Sequence, residues 1–201
     1  MCIKPLNKVL EMLRKRVVVL ISGRGSNLQA IIKDTRNEDC PYQVVAVISN
    51  NPLAEGLELA KNNHLTTAIL DHKAFESRES FDLALMKLID QFQPDFVALA
   101  GFMRILTNDF VEYFQGRLVN IHPSLLPNFT GLHTHQRALE AGVSEHGATV
   151  HFVISELDAG QIILQAKVPI LETDTPEILA ERVLKEEHKI YPQALRLLAR
   201  S

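Results

Sequence analysis

The side chains best suited to chemistry lie in one short stretch, residues 120–127, which read Asn-Ile-His-Pro-Ser-Leu-Leu-Pro. The apolar residues 118–121 predict the end of a buried strand, and alternation along that strand puts Asn120 and His122 on one face. A carboxamide donor beside an imidazole that carries or transfers a proton suits a reaction in which a carbonyl oxygen becomes an oxyanion. The alternative is an ordinary strand-to-loop exit with a solvated histidine.

Two prolines, Pro123 and Pro127, stiffen the loop after this strand, because proline fixes φ and removes an N–H donor. A rigid loop of this kind must hold a sharp geometry, and we predict that the Leu126-Pro127 bond is cis. The prediction is a specific one, since only about 5–6% of X–Pro bonds in folded proteins are cis.

A second candidate site is the turn of residues 22–27, Ser-Gly-Arg-Gly-Ser-Asn, which separates a β-branched apolar run from a helical pattern that begins at Leu28. Backbone N–H groups in such a turn, with the helix dipole behind them, bind anions. The turn lacks the third glycine of a dinucleotide fingerprint and the Gly-Lys-Ser/Thr of a Walker loop. A single phosphate monoester is therefore the predicted ligand. A tight turn with a serine N-cap and no ligand is the alternative.

Strand and helix patterns alternate along the chain. Continuous apolar runs predict buried strands at residues 16–21, 44–49, 66–70, 96–100 and 118–121. Helical spacing of apolar residues predicts helices at residues 28–32, at 52–62, from about 75 to 93, before 141 and at 176–199, the last with a kink or break at Pro192.

The last two strands, at residues 149–153 and 162–168, have no helix-sized connection between them, so they should be antiparallel neighbours. This order predicts an α/β fold, a single Rossmann-like doubly wound sheet that is mostly parallel with an antiparallel edge. Ligands of such sheets bind beyond the carboxyl ends of the strands, where residues 22–27 and 120–127 both lie.

Chain length, net charge and cysteine content limit the classes of protein to which this chain can belong. A chain of 201 residues fits one domain with a substantial core, and a net charge of −3 gives no reason to expect a nucleic-acid partner. The chain has no apolar run of membrane-spanning length, and Cys2 and Cys40 form no disulfide framework, which favours the cytoplasm. Residues 1–15 mix basic and apolar residues, so we predict an amphipathic extension there and a catalytic domain at 16–201.

Two other arrangements of the polar residues are disfavoured, and the role of Asp158 stays open. His133 and His135 lack a third metal ligand at convincing spacing, so no metal is predicted. Ser124, His122 and Asp158 lack the GxSxG elbow of a hydrolase triad. Asp158 itself either holds the tautomer of His122 or makes a local Asx turn.

The sequence resembles the folate-dependent glycinamide ribonucleotide formyltransferases of purine synthesis. Four segments carry the resemblance, residues 21–30, 100–106, 120–127 and 147–160, in the family's order. The resemblance implies that the substrate amine attacks the formyl carbon of 10-formyltetrahydrofolate, with no metal. It also implies that Asn120 and protonated His122 stabilise the oxyanion while Asp158 supports the charge on His122.

The resemblance carries a full set of site residues onto this chain. The implied residues are, for catalysis, Asn120, His122 and Asp158; for the ribonucleotide, Gly25, Ser26, Asn27, Pro123 and Glu187; and for the folate, Arg78, Met103, Arg104, Ile105, Leu106, Ile154, Ser155, Glu156 and Leu157. Leu184 departs from the family, which usually has a polar or basic residue there, and the sequence leaves open whether Lys185 substitutes.

Several alternatives remain open. The 10-formyltetrahydrofolate hydrolases share a similar trio but add a regulatory domain that has no counterpart here, and methionyl-tRNA formyltransferases add a second, basic domain. A folate- or phosphate-binding module without activity is the non-enzymatic alternative. The sequence also leaves open whether the chain forms a homodimer.

Overall fold

The computed structural model describes residues 14–201, so most of the predicted extension lies outside the described residues. Its seven strands are β1 (Lys15–Ile21), β2 (Tyr42–Ser49), β3 (Thr67–Ile69), β4 (Phe96–Leu99), β5 (Leu118–His122), β6 (Glu145–Phe152) and β7 (Ile162–Pro169). They form one sheet in the order β3-β2-β1-β4-β5-β6-β7. The first five are parallel, whereas β6 is antiparallel to both β5 and β7. The predicted fold class is confirmed.

Helices cover both faces of the sheet. They are α1 (Ser26–Thr35), α2 (Glu55–Asn62), α3 (Arg78–Asp90), α4 (Asn108–Tyr113), α5 (Thr134–Glu140) and α6 (Pro176–Arg200). Alternate residues of β1 enter two cores: Val17 and Val19 pack with α1, α2 and α6, while Val18 and Leu20 pack with α3 and α4. Burial on both faces explains why β1 is apolar throughout.

The structure differs from the predicted elements at several boundaries. Helix α3 begins at Arg78 instead of residue 75, because Ser77 and Ser80 cap it reciprocally. Strand β6 begins at Glu145, four residues before the predicted start.

The sequence predicts a kink or a break at Pro192. The prediction of a break is wrong, because the last helix continues past this residue. Helix α6 runs from Pro176 to Arg200, and the buried residues Val183, Tyr191 and Leu195 flank the proline on both sides. Packing on a common core holds the helix through the missing hydrogen bond. The prediction of a cis bond at Leu126-Pro127 is confirmed. Within residues 14–201, no helix is both long and apolar enough to cross a membrane.

Candidate active site

The catalytic candidates meet at the carboxyl end of β5. His122 and Asp158 are both nearly buried, with 7% and 6% of their side chains exposed, and Nδ1 of His122 lies 3.5 Å from Oδ2 of Asp158. Asn120 lies two residues before His122 on β5, and Nε2 of His151 lies 3.4 Å from its Nδ2 and 3.8 Å from Oδ1 of Asp158. The structure therefore places the three residues predicted for catalysis in one connected group.

Asp158 reaches this group through an unusual path of the chain. Strand β6 is antiparallel to β5, so its last residue, Phe152, pairs with Val119, while His122 pairs with Thr149. The following residues must return along the sheet to bring Asp158 back to His122. Asp158 has a positive φ of 54°, and its Oδ2 accepts a 2.8 Å hydrogen bond from the backbone N–H of Gly131. That long-range bond distinguishes it from a local Asx turn.

Both ring nitrogens of His122 face acceptors. Nε2 lies 2.9 Å from the backbone oxygen of Phe129, and Nδ1 faces the Asp158 carboxylate. A neutral imidazole has one N–H and satisfies one of these acceptors, whereas an imidazolium satisfies both. Each ring nitrogen of His122 therefore has an acceptor within reach.

His151 is a member of the site that the sequence reasoning missed. It is 1% exposed, and it pairs directly with Asn120 across β5 and β6. Burial lowers the pKa of its imidazole, which favours the neutral form. Its Nδ1 lies 2.9 Å from the carbonyl oxygen of Phe152, so that nitrogen carries the proton. Nε2 is then left to accept from Nδ2 of Asn120, 3.4 Å away.

The other histidine and serine candidates make structural contacts. The hydroxyl of Ser124 donates to the carbonyl oxygen of Asn128, 2.7 Å away, which agrees with the rejection of a Ser124-based triad. His133 is exposed at the start of α5, and Nδ1 of His135 lies 3.2 Å from Nε2 of His146. No group of three or more potential metal ligands occurs within residues 14–201.

The predicted anion turn joins β1 to α1. Helix α1 begins at Ser26, and Gly25 precedes it with a φ of 78°, a left-handed conformation that favours glycine. A Cβ on Gly25 would lie 2.8 Å from the Cα of Gly56 in α2. The glycine is therefore required by the packing of α2 against the turn. Gly56 also donates a backbone hydrogen bond to Gly23.

A cavity of about 350 Å³ opens beside this turn. Its lining includes Arg24, Gly25 and Ser26, the acid Glu55, and the apolar Leu184 of α6. Lys185 is exposed on α6. The cavity thus combines backbone donors at a helix N-terminus with one cation and one anion at its rim.

Glu187 lies next to the turn, on α6. The Nδ2 group of Asn27 donates a 2.7 Å hydrogen bond to Oε2 of Glu187. Burial raises the pKa of the Glu187 carboxyl, and the Asn27 bond partly opposes this effect. Oδ1 of Asn27 is buried and has no hydrogen-bond partner among the described residues. The pair ties α6 to the turn and presents polar atoms that a hydroxyl-bearing ligand can use.

The residues predicted for folate binding surround the same edge of the sheet. Arg104 lies over the Phe81 ring, 4.9 Å from its centroid, and Leu106 packs on the α3–α4 core. Pro123 accepts a hydrogen bond from the hydroxyl of Thr134, which fixes the loop after His122. The exposed members are Arg78, Met103, Ile105, Ile154, Ser155, Glu156 and Leu157. Exposed apolar side chains of this kind provide a surface for a flat aromatic ligand.

Comparison with known proteins assigns this arrangement to a family. The formyl transferase family profile matches residues 15–195. The chain is 53% identical to phosphoribosylglycinamide formyltransferase of Escherichia coli K12 over 176 residues, which is 88% of this chain and 83% of that protein. It is 50% identical to the trifunctional purine biosynthetic protein adenosine-3 of Bos taurus, of which it covers only 18%.

Solved structures give the same result. Glycinamide ribonucleotide transformylase 1 from Symbiobacterium toebii superposes with a TM-score of 0.90 at 48% identity, covering 93% of this chain and 88% of that one. Phosphoribosylglycinamide formyltransferase from Brucella melitensis superposes with a TM-score of 0.89 at 47% identity, covering 94% and 97% of the two chains.

Proposed function

Because the chain belongs to the formyl transferase family, we propose that it transfers a formyl group from 10-formyltetrahydrofolate to the amine of glycinamide ribonucleotide, a step of purine biosynthesis. One observation carries the proposal from family to chemistry. A nearly buried histidine with an acceptor at each ring nitrogen lies two residues along β5 from a carboxamide. This is a site for stabilising negative charge on oxygen.

The proposed reaction begins when the amine attacks the formyl carbon and a C–N bond forms. The formyl oxygen becomes an oxyanion, which the amide of Asn120 stabilises by a hydrogen bond and the His122 imidazolium stabilises by its positive charge, since both of its ring nitrogens face other acceptors. The intermediate then breaks its bond to the folate nitrogen, and the proton lost by the amine passes to that nitrogen. Tetrahydrofolate and the formylated ribonucleotide leave, so atoms and charge balance without a metal.

In the proposed mechanism, Asp158 acts through His122, and His151 acts through Asn120. In the proposal, the Asp158 carboxylate faces Nδ1 of His122 and supports the positive charge of the ring during the reaction. Neutral His151 accepts from one proton of the Asn120 amide nitrogen. The other amide proton remains for the oxyanion, since a carboxamide nitrogen carries two.

The two substrates occupy opposite sides of this centre in the proposal. The phosphate of the ribonucleotide binds the backbone donors at Gly25 and Ser26, and its ribose meets Glu187, which Asn27 orients. The folate lies on the segment of residues 103–106 and the loop of residues 154–157. Arg78, exposed at the first turn of α3, offers a cation to a folate carboxylate. We place the reaction in the cytoplasm, and a homodimer is compatible with it.

A spectroscopic assay of tetrahydrofolate formation tests the proposal. With 10-formyltetrahydrofolate alone, no product should appear, and addition of glycinamide ribonucleotide should start the reaction. Product formation that is equal with and without the ribonucleotide indicates the hydrolase alternative. Binding of both ligands without turnover indicates a binding module.

A further inference from the structure

Ser22 connects the two proposed substrate sites. It follows β1 directly and opens the anion turn. Its hydroxyl oxygen accepts a 2.8 Å hydrogen bond from the backbone N–H of Met103, the first residue of the proposed folate segment. Its own N–H donates to the carbonyl oxygen of Gly101, 3.1 Å away. One residue thus holds the start of that segment at two points.

The hydroxyl of Ser22 is itself fixed in direction. It donates a 2.6 Å hydrogen bond to Oδ1 of Asn50, which is 4% exposed at the end of β2. Asn51 donates from Nδ2 to the carbonyl oxygen of Ser22. Because the single hydroxyl proton is committed to Asn50, the oxygen lone pairs are left for Met103.

Further contacts lead from Asn50 back to Arg104 in the proposed folate segment. Asn50 contacts His72, whose Nδ1 lies 2.8 Å from the carbonyl oxygen of Asn50. The His72 ring packs edge-on against Phe81, 6.5 Å between centroids, and Arg104 lies over that same Phe81 ring. Ser22 therefore holds Met103 directly. It is connected to Arg104 through a chain of contacts that passes through Asn50, His72 and Phe81.

We propose that Ser22 is a positioning residue that couples the two sites, so that a ribonucleotide phosphate at the turn and a folate on residues 103–106 bind cooperatively. The inference rests on the proposed function. A phosphate bound at the turn restrains the residual motion of Ser22, and through the hydrogen bond to its hydroxyl it also restrains the Met103 backbone before the folate arrives. The segment of residues 103–106 then loses less conformational freedom when the folate binds, and by linkage the folate strengthens ribonucleotide binding by the same factor.

Titration calorimetry measures this coupling without turnover. The probe is tetrahydrofolate, the product, titrated with and without saturating glycinamide ribonucleotide. In the unmodified protein the ribonucleotide should lower the Kd of tetrahydrofolate at least about fivefold, the lower end of typical couplings. In Ser22→Ala the two Kd values of tetrahydrofolate should agree within about twofold.

Ser49→Ala is the matched control. Because Asn51 also bonds Ser22, this variant disturbs the carbonyl side of Ser22 through the Asn51 backbone and leaves the hydroxyl bonds to Asn50 and Met103 in place. This variant should retain the coupling. If Ser22→Ala does not fold, Asn50→Ala, which removes the group that orients the hydroxyl, should show the same loss.

The outcomes separate the inference from the function on which it rests. Binding of both ligands without coupling, or full coupling in Ser22→Ala, overturns the role of Ser22 and leaves the transferase proposal standing. Failure of the unmodified protein to bind the ribonucleotide rejects the proposed function and this inference with it. A merely structural serine would lower the melting temperature and leave the ratio of the two Kd values unchanged.

Discussion

The carboxylate of Asp158 has two roles that one substitution can separate. It accepts from the Gly131 backbone, and it faces the ring of His122. Asp158→Asn retains an acceptor oxygen for Gly131 and removes the negative charge. We expect the variant to fold and to lose at least about a hundredfold in kcat, the usual size of an acid–base or charge contribution.

Steady-state kinetics together with a circular dichroism spectrum check this prediction. Asp90→Asn is a suitable control, because Asp90 lies at the C-terminal end of α3 and accepts a hydrogen bond from the Tyr113 hydroxyl. A kcat near that of the unmodified protein in Asp158→Asn would remove Asp158 from the mechanism.

The two glycines of the anion turn differ in whether the structure has room for a side chain at their positions. Gly25→Val should abolish use of the ribonucleotide, since φ is positive and the new Cβ would meet Gly56. Gly23→Ala is its control, because nothing lies within 4 Å of a Cβ at that position. Arg24→Ala should have a smaller effect than Gly25→Val, because the proposed phosphate site consists of backbone donors.

The phosphate itself is tested with a modified substrate. Its binding energy positions the distant amine, so the dephosphorylated substrate should lose kcat/KM by about two orders of magnitude or more. Equal use of both substrates would show that the turn binds no phosphate.

Residue types and local spacing were sufficient to single out Asn120, His122 and the turn as candidates, because strand alternation and strand–turn–helix order are local. Family resemblance supplied the role of Asp158. His151 was missed, since its place beside Asn120 depends on the register between β5 and β6. That register is set by long-range packing, which a single sequence does not reveal.

Among the secondary-structure elements, helix α6 connects the proposed ribonucleotide site to the sheet. It carries Glu187 and, one turn later, Tyr191, whose hydroxyl lies 2.9 Å from the carbonyl oxygen of Leu99 and 3.2 Å from that of Val119. Val119 directly precedes Asn120 on β5. The tyrosine therefore fixes α6 against the strand ends beneath the catalytic residues.

Tyr191→Phe removes this hydroxyl and keeps the ring. We expect a stability loss of about 1–2 kcal/mol, typical of a lost buried hydrogen bond, and a lower kcat because the end of β5 is less well fixed. Tyr42→Phe is the control, since its buried hydroxyl bonds Asp34, away from the site. Denaturant unfolding and kinetics should show similar stability losses, with kcat reduced only in Tyr191→Phe. Equal kcat values in the two variants would confine Tyr191 to a structural role.

The whole molecule should become less stable in mild acid. Burial lowers the pKa of the His146 imidazole to about 4, below the value of about 6.5 expected in an unfolded chain. The unfolded state therefore binds more protons between these values, so stability is full above pH 6.5 and falls as the pH drops toward 4. The contribution of this one group is a loss of about 2 kcal/mol at pH 5.

Denaturant unfolding at about pH 7 and pH 5 tests this prediction on His146→Gln, which has no titrating group there. The variant should lose less stability than the unmodified protein between the two pH values. His133→Gln, at an exposed histidine, should behave like the unmodified protein. An identical pH dependence in His146→Gln and the unmodified protein would contradict the account.

The fold as a whole was predictable because its strands are short, apolar and separated by helical patterns. The antiparallel edge followed from the short connection between the last two strands, whereas the strand order was not predicted from the sequence. The unbroken α6 and the return of Asp158 over β5 were not predictable, because packing decides both. What the sheet achieves for function is to bring the loops after β1, β4 and β5 to one edge.

The fate of the formyl carbon tests the central claim most directly. The protein is incubated with 10-formyltetrahydrofolate labelled with ¹³C at the formyl carbon and with glycinamide ribonucleotide, and the products are identified by NMR. The label should appear on the ribonucleotide amine, one for each tetrahydrofolate formed. Label recovered as free formate, at a rate that the ribonucleotide does not change, would contradict the account.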